Sequence, residues 1–319
     1  MGGGSSKPTE PSNFTEIHRR VMPVQQMVRV MEQERKPKIL DKPWRDVKWD
    51  ESTKTKLMKF LKEYKPPVDS VPRARILLIG LVGAGKSSFF NSINSVFRGN
   101  MTSQAEAGDM GTSLSLKYRT YKVKASRGGK PMAFLLCDTM GLEATEDGGV
   151  RTEDIVSVLK GYVPDKYQFD PTQAMDTDVC QTGIELPLKD RIHCVVYVID
   201  ATKLAIMPQG MKTKVDEIRK ETKFNEVPLM VLLTKVDKAC PLVEKDLKNV
   251  YRSGYIKELI DKVHQSLGIP VLNVLPVKNY SSESDLNDTC DILLLTAMKQ
   301  MLNFADNCFD NWDEDSDTE

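Results

Sequence analysis

The run Gly80-Leu81-Val82-Gly83-Ala84-Gly85-Lys86-Ser87 spaces glycines, a lysine and a hydroxyl as G-x-x-x-x-G-K-S. Glycines let a backbone fold around phosphate oxygens, so that successive N–H groups and the positive end of a following helix face the anion. The lysine at this spacing reaches outer phosphates, and the serine hydroxyl suits Mg²⁺. The expected phosphate cradle is Gly80, Val82, Gly83, Ala84, Gly85, Lys86, Ser87 and Ser88. An ordinary glycine-rich turn is the alternative. The register between an apolar run, Ile76 to Ile79, and a helical stretch from Ser88 to Phe97 argues against it.

A phosphate loop alone does not select the nucleotide. Cys137-Asp138-Thr139-Met140-Gly141 follows an apolar strand and carries D-x-x-G. Asp138 is expected beside the metal, and Gly141 is expected to let a backbone N–H approach a γ-phosphate. Thr234-Lys235-Val236-Asp237 ends another apolar run and fits a T-K-x-D guanine reader. The Asp237 carboxylate would accept from guanine N1–H and the exocyclic amine, a donor pair that adenine lacks. The Lys235 stem would lie along the base face. Thr234 stands where asparagine is commoner, so one amide bridge is missing and weaker binding is expected. Thr112, with Thr102 behind it, is the candidate switch threonine for Mg²⁺. Lys86 and Thr112 are thus the expected catalytic groups, and Ser87, Thr112 and Asp138 the metal ligands. Lys278 stands where the chain should close over the base.

Strands are predicted at 75–80, 114–124, 132–138, 192–200, 228–234 and 271–277. Helices are predicted at 86–97, 152–161, 209–222, 243–267 and 284–304, with one more from Asp50 or Ser52 to Tyr64. Alternation of buried strands and helices predicts an α/β fold: a doubly wound, mostly parallel sheet of about six strands, with an N-terminal helical extension. The stretch 120–135 reads as a hairpin, so one edge pair should be antiparallel. Residues 162–190 look like an insertion.

The domain reading is a mobile arm over 1–35, a packed helical extension over 36–70, a nucleotide domain over 71–306 and an acidic disordered tail over 307–319. The tail region from Asp306 to Glu319 holds seven acidic residues and neither Lys nor Arg. Trp44 and Trp49 are expected to anchor the extension. The formal net charge is zero, which gives no argument for nucleic acid. Six cysteines without C-x-x-C spacing read as reduced thiols of a cytoplasmic protein. Met1-Gly2-Gly3-Gly4-Ser5-Ser6 fits N-myristoylation at Gly2, and a single acyl chain predicts only weak, reversible membrane contact. His193, inside a strand, reads as a core residue.

In this order the blocks resemble the GTP-binding domain of translation-factor and Ras-like P-loop proteins. Segments 84–97, 117–121, 188–194 and 279–283, with the lead-in Lys42-Pro43-Trp44-Arg45, closely resemble the interferon-induced protein 44 and 44-like family. The likeness runs from about Trp44 to Asp306. It implies a cytoplasmic GTP/GDP-binding fold with Mg²⁺ and an interferon-responsive antiviral role. Mammalian members tend to carry a further N-terminal domain, and the 35-residue arm is too short for one.

Two departures predict slow hydrolysis. Leu142 replaces the glutamine that orients water in Ras-like enzymes, and Val82 replaces a common glycine. An arginine finger would come from Arg98, Arg119 or Arg151, from a protein effector, or from a second copy in a homodimer formed on GTP binding. The competing readings are a non-catalytic guanine-nucleotide module and, more distantly, a small-metabolite kinase, which would have no use for Thr234 to Asp237.

Overall fold

The computed structural model describes residues 38–105, 117–143, 148–170, 172–175 and 185–316. The predicted arm over 1–35, Gly2 and Thr112 lie outside the described residues.

Six strands make one sheet: β1 Ala74–Gly80, β2 Arg119–Lys124, β3 Pro131–Asp138, β4 Cys194–Asp200, β5 Leu229–Thr234 and β6 Val274–Pro276. Their spatial order is β2-β3-β1-β4-β5-β6. All neighbouring pairs are parallel except β2 with β3, the predicted hairpin. β1 is central because its apolar residues serve both faces. Ile76 and Leu78 enter one core cluster, while Leu77 and Ile79 enter the other. Such two-sided burial reads as a continuous apolar run rather than as alternation.

The helices are α1 Glu51–Glu63, α2 Lys86–Arg98, α3 Thr152–Leu159, α4 Gln209–Phe224, α5 Val236–Ala239, α6 Pro241–Lys245, α7 Gly254–Leu267 and α8 Asp288–Ser316. Residues of α1, α2 and α8 share one core with one sheet face, and those of α3, α4 and α7 share the other. This is the doubly wound α/β arrangement read from the sequence.

Most element ends shift by a few residues from prediction, and three differences have a clear physical cause. The helix expected over 243–267 is interrupted. Asp246 accepts from the Lys248 amide and opens a 3-10 turn, Leu247–Tyr251. Ser253 then caps α7 through the Ile256 amide. Both caps satisfy helix-end donors that an unbroken helix would not leave open. The expected strand over 271–277 keeps only three residues, because Val271–Asn273 forms another 3-10 turn.

The third correction concerns the acidic tail. The helix continues through Ser316, and Cys308 and Phe309 are fully buried on the core. The Phe309 ring lies 4.6 Å from that of His193. Acidic composition predicts a solvated end, but apolar residues at helical spacing recruit this turn to the core.

The extension is held as its tryptophans suggest. Trp44 meets Tyr251 edge-on with ring centroids 5.0 Å apart, and Trp49 stacks on the same ring at 6.0 Å. Backbone bonds from Leu40 to Arg252 and from Trp44 to Tyr251 complete the attachment. Asp50 caps α1 by accepting from Thr53 at 2.7 Å.

Candidate functional site

Three loops leave the carboxyl ends of β1, β3 and β5, where open α/β sheets bind their ligands. The loop after β1 delivers Lys86 and Ser87 to the first turn of α2. Lys86 is only 7% exposed, and its Nζ donates to the Gly80 carbonyl at 3.0 Å and to the Leu81 carbonyl at 3.3 Å. Burial pushes its pKa down, against the attraction of Asp138. The ammonium is therefore held at the mouth of its own loop, short of cations and rich in carbonyls.

Asp138 ends β3 as expected and is buried. Ser87 Oγ donates to Asp138 Oδ2 at 2.6 Å. Oδ1 has no partner at hydrogen-bonding geometry among the described residues. Burial raises the Asp138 pKa, opposed by Lys86, by the Ser87 hydroxyl and by the Thr139 amide. A serine hydroxyl and a carboxylate whose second oxygen is buried and unpaired form an oxygen donor set suited to Mg²⁺. Ser87 and Asp138 are thus brought together.

Gly141 lies against the phosphate loop, and a Cβ built there would stand 2.5 Å from Val82 Cγ2. Leu142 follows as a core residue with no exposure, and its amide donates to the Gly80 carbonyl at 2.9 Å. It therefore occupies the interior rather than a water-binding position.

At the end of β5, Thr234 is buried, and its hydroxyl lies 2.6 Å from the Ala84 carbonyl and 3.1 Å from that of Ile199. The missing asparagine does not leave this strand end untied, because the shorter hydroxyl reaches the phosphate loop directly. Lys235 takes a left-handed conformation, φ 55°, which turns the chain into α5 with Asp237 in its first turn. Lys235 Nζ pairs with Asp200 Oδ2 at 3.0 Å. Asp200, at the end of β4, accepts from the Thr202 amide at 2.9 Å and from its hydroxyl at 2.6 Å. Burial works against the Asp200 charge, but Thr202 and Lys235 hold its pKa below the usual carboxylate value.

Asp200 was missed in the sequence. Its signal was a lone carboxylate closing an otherwise apolar strand, two residues before a threonine.

After β6, Lys278 pairs with Glu283 at 2.8 Å. Burial opposes its charge, but Glu283 and, more distantly, Asp237 raise its pKa. Burial likewise opposes ionisation of Glu283. Lys278 and nearby backbone amides nevertheless bring that carboxyl down to about 2. Asn279 is the second residue that sequence reasoning did not single out. Its Nδ2 donates to the Gly85 carbonyl at 3.0 Å.

The arginine candidates separate by position. Arg98 closes α2, about 18 Å along the helix from Lys86. Arg151 lies beside Glu153 at 3.6 Å. Arg119 is exposed and stands opposite Asp138 in the β2–β3 register.

No protein-family profile matches the chain. Human interferon-induced protein 44-like is 42% identical over 254 residues, covering 79% of this chain and 56% of that protein. Human interferon-induced protein 44 is 39% identical over 250 residues, covering 78% and 56%. The mouse interferon-induced protein 44 is 37% identical over 246 residues, covering 77% and 58%. Among solved structures, Toc33 from Arabidopsis thaliana in complex with GDP and Mg²⁺ is 15% identical with a TM-score of 0.46, covering 82% of this chain and 97% of that one. A variant of Aquifex aeolicus Era bound to GDP and aluminium fluoride is 14% identical with a TM-score of 0.34, covering 65% and 52%. The chain spans a little over half the length of the curated relatives it matches. Aligned at 37–42% identity across more than three quarters of its residues, it belongs to the interferon-induced protein 44 and 44-like family.

Proposed function

We propose that this chain is a guanine-nucleotide-binding switch with slow, Mg²⁺-dependent GTP hydrolysis. The observation that carries the reading is the convergence of Lys86, Ser87 and the unpaired Asp138 Oδ1 beside a phosphate-binding turn. The T-K-x-D turn joins them through Thr234 and Ala84. In this reading Lys86 and the loop amides take up phosphate charge, and Ser87 and Asp138 hold the metal. Mg²⁺, when bound, neutralises charge on the transferring phosphoryl group. Asp237 selects guanine through its paired donors. Thr112 and Gly141 are the proposed γ-phosphate sensors, whose release after hydrolysis changes binding to a protein effector.

A second reading is favoured by one observation. Leu142 is buried and tied to Gly80, so the position after D-x-x-G offers nothing to orient water. A non-catalytic module holding GTP or GDP would need no such group. Single-turnover hydrolysis of bound GTP, measured across a range of protein concentrations, decides between the two. Turnover that rises with concentration supports a switch completed by a second copy. Turnover independent of concentration supports a switch complete within one chain. No turnover at any concentration leaves the binding module.

The wider role we propose is the interferon-induced, innate antiviral setting in the cytoplasm that the relatives' names suggest. Weak membrane contact through an acylated Gly2 belongs to the same proposal. Among the described residues no helix is long and apolar enough to cross a membrane.

A further inference from the structure

Two consecutive carbonyls of the phosphate loop are held by side chains from two different strand ends. Thr234 Oγ1, from β5, donates to Ala84 at 2.6 Å. Asn279 Nδ2, from the segment after β6, donates to Gly85 at 3.0 Å. In a trans peptide the C=O and the next N–H point in opposite directions. Fixing the Ala84 carbonyl therefore aims the Gly85 N–H away from Thr234. Fixing the Gly85 carbonyl aims the Lys86 N–H away from Asn279. These are the amides that a loop of this kind turns on phosphate.

The fit at Gly85 is close. Its φ is +100°, and a Cβ there would lie 2.9 Å from Asn279 Nδ2. Asn279 thus occupies the space that a side chain at 85 would need. The residues flanking Asn279 are fixed independently. Lys278 is paired with Glu283. The Tyr280 amide donates to Ser92 Oγ at 2.9 Å, and its hydroxyl donates to Asp291 at 2.6 Å. Asn279 Oδ1 is buried and unpaired among the described residues. An apolar side chain of equal size would fold without that orphaned oxygen, whose burial is unfavourable. What the amide adds is the N–H held on Gly85.

Resting on the reading of this site as a nucleotide pocket, we infer that Asn279 is a phosphate-positioning residue. It acts, together with the Phe89 amide at 2.9 Å, on the Gly85 carbonyl to set the Lys86 N–H, and it divides with Thr234 the work of tying the base side of the pocket to the phosphate side. It touches neither base nor phosphate. Its loss should weaken every nucleotide alike and leave base choice intact.

The experiment measures GDP binding, GDP dissociation and the ³¹P spectrum of bound GDP in the full chain, for wild type, Asn279→Leu and Asn279→Asp. Leucine keeps the size and removes the N–H. Aspartate keeps the shape and sets an oxygen against the Gly85 carbonyl. Each variant is expected to fold, to bind GDP about tenfold more weakly, the upper end of what one hydrogen bond contributes, and to release it faster. The β-phosphate resonance should shift more than the α, and preference for GTP over ATP and XTP should be unchanged. Wild-type affinity and spectrum in a folded Leu variant would overturn the inference. So would a changed base preference, since Asn279 would then read the base directly. A wild-type chain that binds no guanine nucleotide removes the proposed function itself, and this inference with it. Should Leu fail to fold, the Asp variant carries the same comparison.

Discussion

Val82 and Gly141 press directly on one another: a Cβ on Gly141 would sit 2.5 Å from Val82 Cγ2 and 2.9 Å from the Val82 nitrogen. The phosphate loop and the D-x-x-G turn therefore close against each other at the position where a γ-phosphate sensor is proposed. Backbone cannot give way as a flexible side chain can, so Gly141→Ala must move one of the two segments. We expect this variant to lose about tenfold or more in GTP affinity while GDP affinity changes little. Val82→Gly should raise single-turnover hydrolysis by relieving the crowding. Equal losses for GTP and GDP in Gly141→Ala would remove the γ-phosphate role.

Lys86 and Asp237 test the two ends of the pocket separately. Lys86 is buried among carbonyls, with a pKa held down by desolvation. Lys86→Met should cost nucleotide binding about 3 kcal/mol, roughly 100-fold, by removing a charged donor. Asp237→Asn should lose GTP and gain XTP, because an amide can donate to the carbonyl that xanthine carries in place of the guanine amine. Nucleotide titrations in which both variants match wild type would dismiss the site.

His193 makes stability depend on pH. Its Nδ1 accepts from the Arg75 amide at 2.8 Å, and its Nε2 lies 2.9 Å from the Leu188 carbonyl. Burial pulls its pKa from 6.5 down to about 4. The unfolded chain therefore binds the proton first. The contribution is complete above pH 6.5 and is lost as pH falls toward about 4, amounting to about 3 kcal/mol. Denaturant melts of wild type and His193→Gln across this window should converge as the pH drops. Parallel curves would show that the ring is not held neutral.

Lys54 on α1 reaches Asp291 Oδ2 at 2.7 Å and Asp288 at 2.8 Å on α8, and Asp291 is fully buried. Asp291 also receives the Tyr280 hydroxyl, one residue beyond Asn279. Lys54→Met should destabilise by about 3 kcal/mol because it leaves a buried carboxylate without its cation. Adding Asp291→Asn should restore part of that loss. A strictly additive double mutant would deny the pairing.

Phe309 lies beyond the boundary expected from composition. Phe309→Ala should cost about 3–5 kcal/mol, as for other buried aromatic truncations. A chain ending at Asp306 should melt well below the full chain. An unchanged melting temperature in the truncated protein would return residues 307–312 to a solvated tail.

What could be read from the chain alone was local. The phosphate loop is one run of eight residues whose conformation its own glycines permit, and the strands announce themselves as apolar runs flanked by turn residues. The six-stranded sheet and its antiparallel edge followed from that pattern. The break at Asp246 did not, because capping side chains outweigh a continuous apolar period. The acidic composition of the C-terminal residues likewise gave no hint that Phe309 would pack beside His193, a contact between two distant segments.

The site divides in the same way. Motif spacing picks out Lys86, Ser87 and Asp138 as candidates, and the structure sets Ser87 against Asp138. Asp200 beneath Lys235, and Asn279 against Gly85, became visible only when the sheet brought separate strand ends together. Asn279 and Gly85 are 194 positions apart. No local propensity records such a pairing. It exists because the parallel run β1-β4-β5-β6 brings their carboxyl ends to one edge of the sheet, and burial then leaves each loop carbonyl to be satisfied by whichever donor a nearby strand end delivers.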